Sequence, residues 1–206
     1  MTRLTREFCV RDTLTVAREL LGQRLVRRLA GQELVGRIVE VEAYVQDDAA
    51  CHASRGRTAR NAVMFGPPGH AYVYFIYGMH YCLNVVTEPE GSAAAVLFRA
   101  VEPLAGIDVM RLNRGGRQGV ELTNGPAKLC SALGIDRALN GTDLVAGQAL
   151  WLERGVAVED ACVASGPRIG VRGDERALTV PWRLWVRGHP YVSRARAAGA
   201  PRQHPR

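Results

Sequence analysis

The alternation of hydrophobic and polar residues predicts strands along most of the chain, with a few short helices between them. Asp12 is a suitable helix N-cap and Gly22 a suitable stop, which predicts a first helix over 12–21. Further helices are predicted over 106–112 and 126–134. The predicted strands are 23–29, 33–44, 71–77, 81–87, 93–101, 149–153, 168–171 and 182–187.

The order of these elements predicts an α+β fold. We expect a curved, mostly antiparallel sheet with flanking helices and a protruding β-hairpin around residues 77–80. Residues 45–70 are polar and rich in Gly, Pro and Arg, which is typical of a long ordered loop. We expect residues 1–193 to form a single domain and residues 194–206 to be a disordered basic tail.

Composition narrows the possible partners and cofactors. The formal charge of +7 is compatible with a polyanionic partner, although many small basic domains bind no polyanion. The five cysteines are widely spaced without a Cys-x-x-Cys pair, so no metal, cofactor or disulfide framework is expected. No apolar run is long enough for a bilayer and no secretion signal is evident, so we expect a cytoplasmic protein of bacterial type, working at the nucleoid.

Two carboxylates and a tyrosine alternate on the second predicted strand. Side chains i and i+2 lie on the same face, so Glu40, Glu42 and Tyr44 should lie together. One interpretation is an ordinary solvated strand face. The other is a partly dry pocket, in which desolvation raises the basicity of a carboxylate.

A hairpin tip rich in large side chains is the second candidate feature. Tyr72 and Phe75 are expected in the core, as is usual for strand aromatics. Tyr77 and Met79 stand at the turn, where burial within the same domain is difficult. Such side chains can wedge between base pairs of distorted duplex DNA.

Five sequence runs together resemble the alkyladenine (3-methyladenine) DNA glycosylase family, the methylpurine-DNA glycosylase type. They are RIVEVEAY at 37–44, YVYFIYGM at 72–79, LFRAVEPL at 97–104, GPAKLC at 125–130 and VRG at 186–188. They occur in the family's order and extend over most of the chain. The resemblance implies a base-excision repair enzyme that flips damaged purines out of duplex DNA.

The resemblance also implies roles for individual residues. Glu42 would be the general base that activates water, helped by Arg99 and by the backbone carbonyl of Ile169. The flipped base would be enclosed by a pocket whose residues are Tyr44, His52, Tyr74 and Asn84, the last excluding the amino group of normal guanine. Tyr77, together with Met79, would fill the gap left in the duplex. His52 has an alternative interpretation as an ordinary surface-loop histidine.

Basic residues near these runs are candidate phosphate contacts. Arg57 and Arg60, with Arg55, lie in the long loop and could clamp the DNA backbone, or could simply be solvated. Lys128 is the only lysine of the chain and begins a predicted helix, where a phosphate contact is expected.

The single lysine also bears on the reaction. Glycosylases that nick the backbone attack through an amine, so we expect hydrolysis alone, leaving an abasic site. The expected partner is double-stranded DNA with damaged purines, and the expected state is a monomer without an obligate protein partner. Two alternatives remain open: a hydrolase of free nucleosides, and a lesion-binding protein without catalysis.

Overall fold

An antiparallel β-sheet forms the centre of the structure, a computed structural model that describes residues 2–193. Eight strands are present in this part of the chain: β1 Arg24–Leu29, β2 Gln32–Tyr44, β3 Ala71–Ile76, β4 His80–Val86, β5 Ala95–Ala105, β6 Leu150–Glu153, β7 Val163–Gly166 and β8 Arg183–Val186. Their order is β3-β4-β5-β2-β1-β6, and β8 pairs with both β2 and β7. The predicted α+β class with an antiparallel sheet is confirmed.

Five short α-helices flank this sheet within the described residues. They are α1 Arg6–Cys9, α2 Thr13–Leu20, α3 Ile107–Asn113, α4 Pro126–Ala132 and α5 Glu175–Thr179. Short 3₁₀ turns are formed by Ala62–Phe65, Gly119–Leu122, Arg137–Leu139 and Asp160–Cys162.

Strand β2 is central to the sheet because it pairs with different strands along its length. Residues 32–37 pair with β1, residues 35–44 pair with β5, and residues 40–42 pair with β8. The strand that pairs with β2 on the side away from β5 therefore changes from β1 to β8 near the middle of β2. The second half of β2, which carries Glu42, lies between β5 and β8.

Helix α2 covers the main core next to β2. The carboxylate of Asp12 accepts a hydrogen bond from the amide of Thr15 at 2.8 Å, which satisfies a free helix-terminal donor. Its buried residues recur at helical spacing and are Thr13, Val16, Ala17 and Leu20. The core beneath them is apolar and includes Leu25, Ile38, Val41 and Phe98.

The long loop 45–70 is ordered by a second, smaller hydrophobic cluster. Its buried members are Cys51, Ala53, Met64, Tyr72, Val86, Ala93 and Ala95. Tyr44 and Tyr74 pack against this cluster from the strands. The loop is thereby fixed beside the second half of β2.

Two expectations from the sequence are wrong. Residues 168–171 do not form a strand; the strand of this region is β7, at Val163–Gly166, and Gly170 has a φ of 75°. Phe75 is 44% exposed rather than in the core, because it lies near the hairpin tip, where its ring packs against Tyr81. The expected tail 194–206 lies outside the described residues.

Candidate active site

A cavity of about 470 Å³ opens beside the second half of β2. This volume is within the range of about 300–1,000 Å³ that is common for small-molecule sites. The cavity brings together most of the candidate residues from the sequence. Its lining includes Glu42, Tyr44, His52, Tyr74, Tyr77, Asn84, Arg99 and Ile169.

The carboxylate of Glu42 is held at the cavity wall by one ion pair and two hydrogen bonds. Arg99 Nη1 lies 3.0 Å from Oε1, and the backbone N–H of Ile169 donates to the same oxygen at 2.7 Å. The hydroxyl of Tyr44 donates to Oε2 at 2.8 Å. The side chain of Glu42 is fully buried in the protein, so these contacts fix its orientation.

Irregular pairing between β2 and β5 places Arg99 next to this carboxylate. Glu40 pairs with Ala100 and Val41 pairs with Phe98, which leaves Arg99 as an extra residue on β5. Such a bulge redirects a side chain out of the regular alternation. Burial alone would lower the pKa of Arg99, but the charges of Glu42 and Glu40 raise it above its ordinary value.

Tyr44 links the carboxylate to the wall of the cavity. Burial raises its pKa well above the ordinary value, and the neighbouring charge of Glu42 raises it further. The phenol therefore stays protonated and donates to Glu42 at neutral pH. On its other side, the guanidinium of Arg168 lies 4.7 Å from the centre of the Tyr44 ring.

Three rings, those of His52, Tyr72 and Tyr74, form an aromatic wall of the same cavity. His52 meets Tyr74 edge-on at a centroid distance of 4.5 Å, and Tyr72 lies 5.4 Å from Tyr74. His52 Nδ1 is 2.9 Å from the Tyr72 hydroxyl. Partial burial lowers the pKa of His52, as does the charge of Arg60, so the imidazole is neutral at pH 7.

Asn84 lies buried in the floor of the cavity. Its Nδ2 donates to the backbone carbonyl of Tyr72 at 3.0 Å, which fixes the amide. Cys82 lies in the same strand and also lines the cavity. Burial raises the pKa of its thiol, which is therefore protonated at neutral pH.

The hairpin tip exposes two large side chains, of which Tyr77 lines the cavity and Met79 does not. Tyr77 is 72% exposed and Met79 is 69% exposed. Tyr77 has a positive φ of 54° and is followed by Gly78 at 69°. A left-handed tyrosine is an uncommon, strained conformation that often accompanies function.

The candidate phosphate contacts have different surroundings. Arg57 and Arg60 are exposed residues, and their guanidinium groups lie 6.0 Å from the Phe65 ring and 5.8 Å from the Tyr74 ring. Lys128 instead pairs with Glu121 at 2.7 Å and with Asn124 at 2.8 Å. Arg172, which the sequence analysis did not single out, lines the cavity.

Other contacts at the site could not be anticipated from sequence patterns. Ile169 reaches Glu42 through its N–H, whereas the resemblance implied a role for its carbonyl. Arg168 is buried against Asp48, which ties the long loop to the segment that carries Ile169. These contacts join residues more than one hundred positions apart, so only the resemblance could have indicated them.

Neither a metal centre nor a membrane span is evident in the described residues. Within residues 2–193, no three His, Cys, Asp or Glu side chains are grouped to hold a metal ion. In the same part of the chain, no helix has the length and apolar character to cross a bilayer.

The arrangement suits hydrolysis next to an aromatic ligand. A buried carboxylate with fixed geometry can orient and deprotonate a water molecule. The aromatic wall can stack on a flat heterocycle, and its electron-rich faces favour a cationic one. The residues of the cavity thus suit the binding of a planar base and the hydrolysis of a bond that joins this base to a neighbouring group.

Comparison with known proteins identifies the family of the chain. The profile of the family Methylpurine-DNA glycosylase (MPG) matches residues 7–190. A protein of Carboxydothermus hydrogenoformans named "Putative 3-methyladenine DNA glycosylase" is 51% identical over 93% of this chain and 98% of its own length. Proteins of the same name from Methanocella arvoryzae and Streptomyces avermitilis are also 51% identical, over 97% and 95% of this chain and 99% and 93% of their own lengths. The resemblance seen in the sequence is confirmed, and the chain belongs to the methylpurine-DNA glycosylase family.

Proposed function

We propose that this protein is a DNA repair glycosylase that removes alkylated or deaminated purines from duplex DNA by hydrolysing the N-glycosidic bond. The observation that carries the proposal is the position of Glu42, which is held by an ion pair and two hydrogen bonds at the wall of a cavity with aromatic sides. Family membership supports the same reaction class.

Base capture is assigned to the aromatic wall and the hairpin tip. A flipped purine would lie between Tyr44 and the His52–Tyr74 wall, with Asn84 excluding the amino group of guanine. Stacking on such rings contributes about 1–3 kcal/mol per base. Tyr77 and Met79 would enter the vacated stack, which offsets part of the few kcal/mol that flipping costs.

Bond cleavage is assigned to Glu42. A methylated purine that carries positive charge is already a good leaving group, so the residual task is to deliver water to the sugar carbon. Glu42 would accept the proton of this water and stabilise the positive charge that develops on the sugar. Arg99 and the N–H of Ile169 would keep the carboxylate in position.

The proposed reaction is hydrolysis alone. Lys128, the only lysine of the chain, is paired with Glu121 and is not among the residues that line the cavity. An amine in the cavity is needed for attack on the sugar and strand cleavage. The product is therefore an abasic site in an intact strand.

The setting of the reaction is also part of the proposal. Residues 1–193 would act as a single glycosylase domain and as a monomer without an obligate protein partner. Exposed arginines such as Arg57 and Arg60 would contact phosphates of double-stranded DNA, without selecting sequence. The protein would work in the cytoplasm at the nucleoid.

Base release from matched substrates tests the function. Purified protein is incubated with duplex DNA containing 7-methylguanine or hypoxanthine, with undamaged duplex, and with free inosine. Released bases are quantified, and strands are analysed with and without alkali. We expect release from damaged duplex only, and strand breaks only after alkali.

Each alternative gives a distinct result. Equal turnover of inosine and of hypoxanthine in duplex DNA would indicate a nucleoside hydrolase. Lesion binding without base release would indicate a binding protein. Strand breaks without alkali on DNA that already contains an abasic site would contradict hydrolysis alone.

Tyr77→Ala tests whether the side chain of Tyr77 enters the vacated base stack. We expect the Kd for lesion duplex to rise about 5- to 150-fold, the equivalent of about 1–3 kcal/mol of stacking, with a smaller effect on the single-turnover rate. Leu112→Ala is the matched control, because Leu112 is 79% exposed and does not line the cavity. Equal affinities of wild type and Tyr77→Ala for lesion duplex would contradict the insertion of Tyr77 into the base stack.

A further inference from the structure

A second carboxylate, Glu40, is buried behind the site and does not line the cavity. Its side chain has no exposed surface, yet its two oxygens receive four hydrogen bonds. Arg99 Nε donates at 3.0 Å and Arg183 Nε at 2.6 Å. The backbone N–H and the hydroxyl of Ser193 donate at 2.6 Å and 2.7 Å.

Arg99 connects the buried carboxylate of Glu40 to the carboxylate of Glu42. Its Nε contacts Glu40, its Nη1 contacts Glu42, and its Nη2 donates to Ser193 Oγ at 3.2 Å. A guanidinium is a rigid plane, so three contacts on three nitrogens fix its position and tilt. With Arg183 included, two guanidinium groups balance two carboxylates, and the buried network is neutral overall.

Ser193 uses all its polar atoms in this network. Its N–H and hydroxyl donate to Glu40, its Oγ accepts from Arg99, and its carbonyl accepts from Arg183 Nη2 at 3.0 Å. It lies three positions beyond residue 190, where the match to the family profile ends. It does not itself line the cavity.

We propose that Ser193 is a positioning residue, which keeps Arg99 directed at Glu42 through the buried carboxylate of Glu40. The inference rests on the proposed function, because it concerns the rate of the step assigned to Glu42. Without the hydroxyl, Arg99 Nη2 and Glu40 Oε1 each lose a partner. The guanidinium then keeps two of its three contacts, so Arg99 Nη1 is less firmly directed at Glu42 Oε1, while Ile169 and Tyr44 still hold the carboxylate.

Ser193→Ala in the full chain tests the proposal. We expect the single-turnover rate on hypoxanthine duplex to fall about tenfold, since misplacement of a catalytic group by about 1 Å can cost up to 100-fold. The Kd for the same duplex should stay within about twofold, because Ser193 touches neither the aromatic wall nor the hairpin tip. Ser131→Ala is the matched control, since Ser131 is exposed and its hydroxyl donates to the carbonyl of Asn113, away from the cavity lining.

A double-mutant cycle with Arg99→Gln tests whether Ser193 acts through Arg99. We expect Ser193→Ala to change the rate of Arg99→Gln by less than about twofold. Independent, multiplicative effects of the two substitutions would overturn the proposal. So would a Ser193→Ala rate within twofold of wild type, or a rate and a lesion affinity that fall together.

The experiments distinguish an error in the role of Ser193 from an error in the proposed function. If wild type releases no base, the proposed function itself is wrong. If wild type releases base but Glu42→Gln keeps the wild-type rate, the role of Glu42 is wrong, and the role of Ser193 falls with it. If wild type is active and Glu42→Gln is inactive, but Ser193→Ala matches Ser131→Ala, only the role of Ser193 is wrong.

Discussion

Arg168→Ala is expected to be one of the most destabilising single substitutions near the site. The side chain of Arg168 is fully buried and that of Asp48 is 2% exposed. Besides two contacts to Asp48, the guanidinium donates to the carbonyls of Ala43 at 2.9 Å and Ala177 at 3.0 Å. Its loss leaves a buried carboxylate without its counter-charge and two carbonyls without a donor.

The magnitude follows from this loss. Removing one partner of a buried ion pair costs about 3–5 kcal/mol, mostly because the remaining charge stays desolvated. That is a large part of the 5–15 kcal/mol that is typical of domain stability. Nε of Arg168 is buried without a hydrogen-bond partner in the described residues, so the pair is incompletely satisfied. Replacing both partners by apolar residues, as in Arg168→Met with Asp48→Leu, should therefore recover the part of the loss that comes from the unpaired charge, while the carbonyls of Ala43 and Ala177 still lack their donor.

Urea unfolding followed by tryptophan fluorescence measures these changes. Trp182 lies 5.2 Å from the Arg168 guanidinium and reports on the site directly. The matched control is Arg28→Ala, because Arg28 and Glu33 form a pair with both side chains 48% exposed. We expect the control to cost no more than about 1 kcal/mol. Similar costs for Arg168→Ala and Arg28→Ala, or a double variant worse than the single one, would refute the reasoning.

Two further predictions concern titration and thiol reactivity. Burial lowers the pKa of His52 in the folded protein, so the unfolded state takes up a proton first as the pH falls through about 6.5. The unfolding free energy of wild type, relative to that of His52→Asn, should therefore fall between pH 7.5 and pH 5. A rise over this range would contradict the prediction. Of the five cysteines only Cys162 is exposed, while burial raises the pKa of Cys9 to about 12 and that of Cys51 to about 11. Native protein should therefore show one fast-reacting thiol, lost in Cys162→Ser, and two or more fast thiols would contradict the structure.

Local sequence patterns were sufficient for the regular elements. The cap at Asp12 and the alternation in 33–44 correctly predict α2 and β2. Helix α2 buries one regular face, whereas β2 alternates only over 34–37 and is buried on both faces over 38–43. Helices α1 and α5, at four and five residues, are too short to display a period and were not predicted. The strand predicted at 168–171 fails because this segment is apolar enough for a strand, but its backbone turns to place the N–H of Ile169 on Glu42.

The site depends on long-range geometry that local patterns do not encode. The sequence places Glu40 and Glu42 on one face, but it does not reveal that bulged pairing turns Arg99 between them. Nor does it reveal that Ser193 closes the network, because the partners are 153 positions apart. The expectation for Phe75 fails for a related reason, since the large side chains near the hairpin tip, Phe75, Tyr77 and Met79, are all exposed.

The central claim is that Glu42 activates the water that cleaves the glycosidic bond. The most direct measurement is the single-turnover rate of hypoxanthine release from duplex DNA by wild type and Glu42→Gln, with the Kd for the same duplex. Glutamine keeps the size of the side chain but cannot accept the proton, so the rate should fall about 10²- to 10⁴-fold while lesion binding is retained. A Glu42→Gln rate close to that of wild type, with normal binding, would contradict the account.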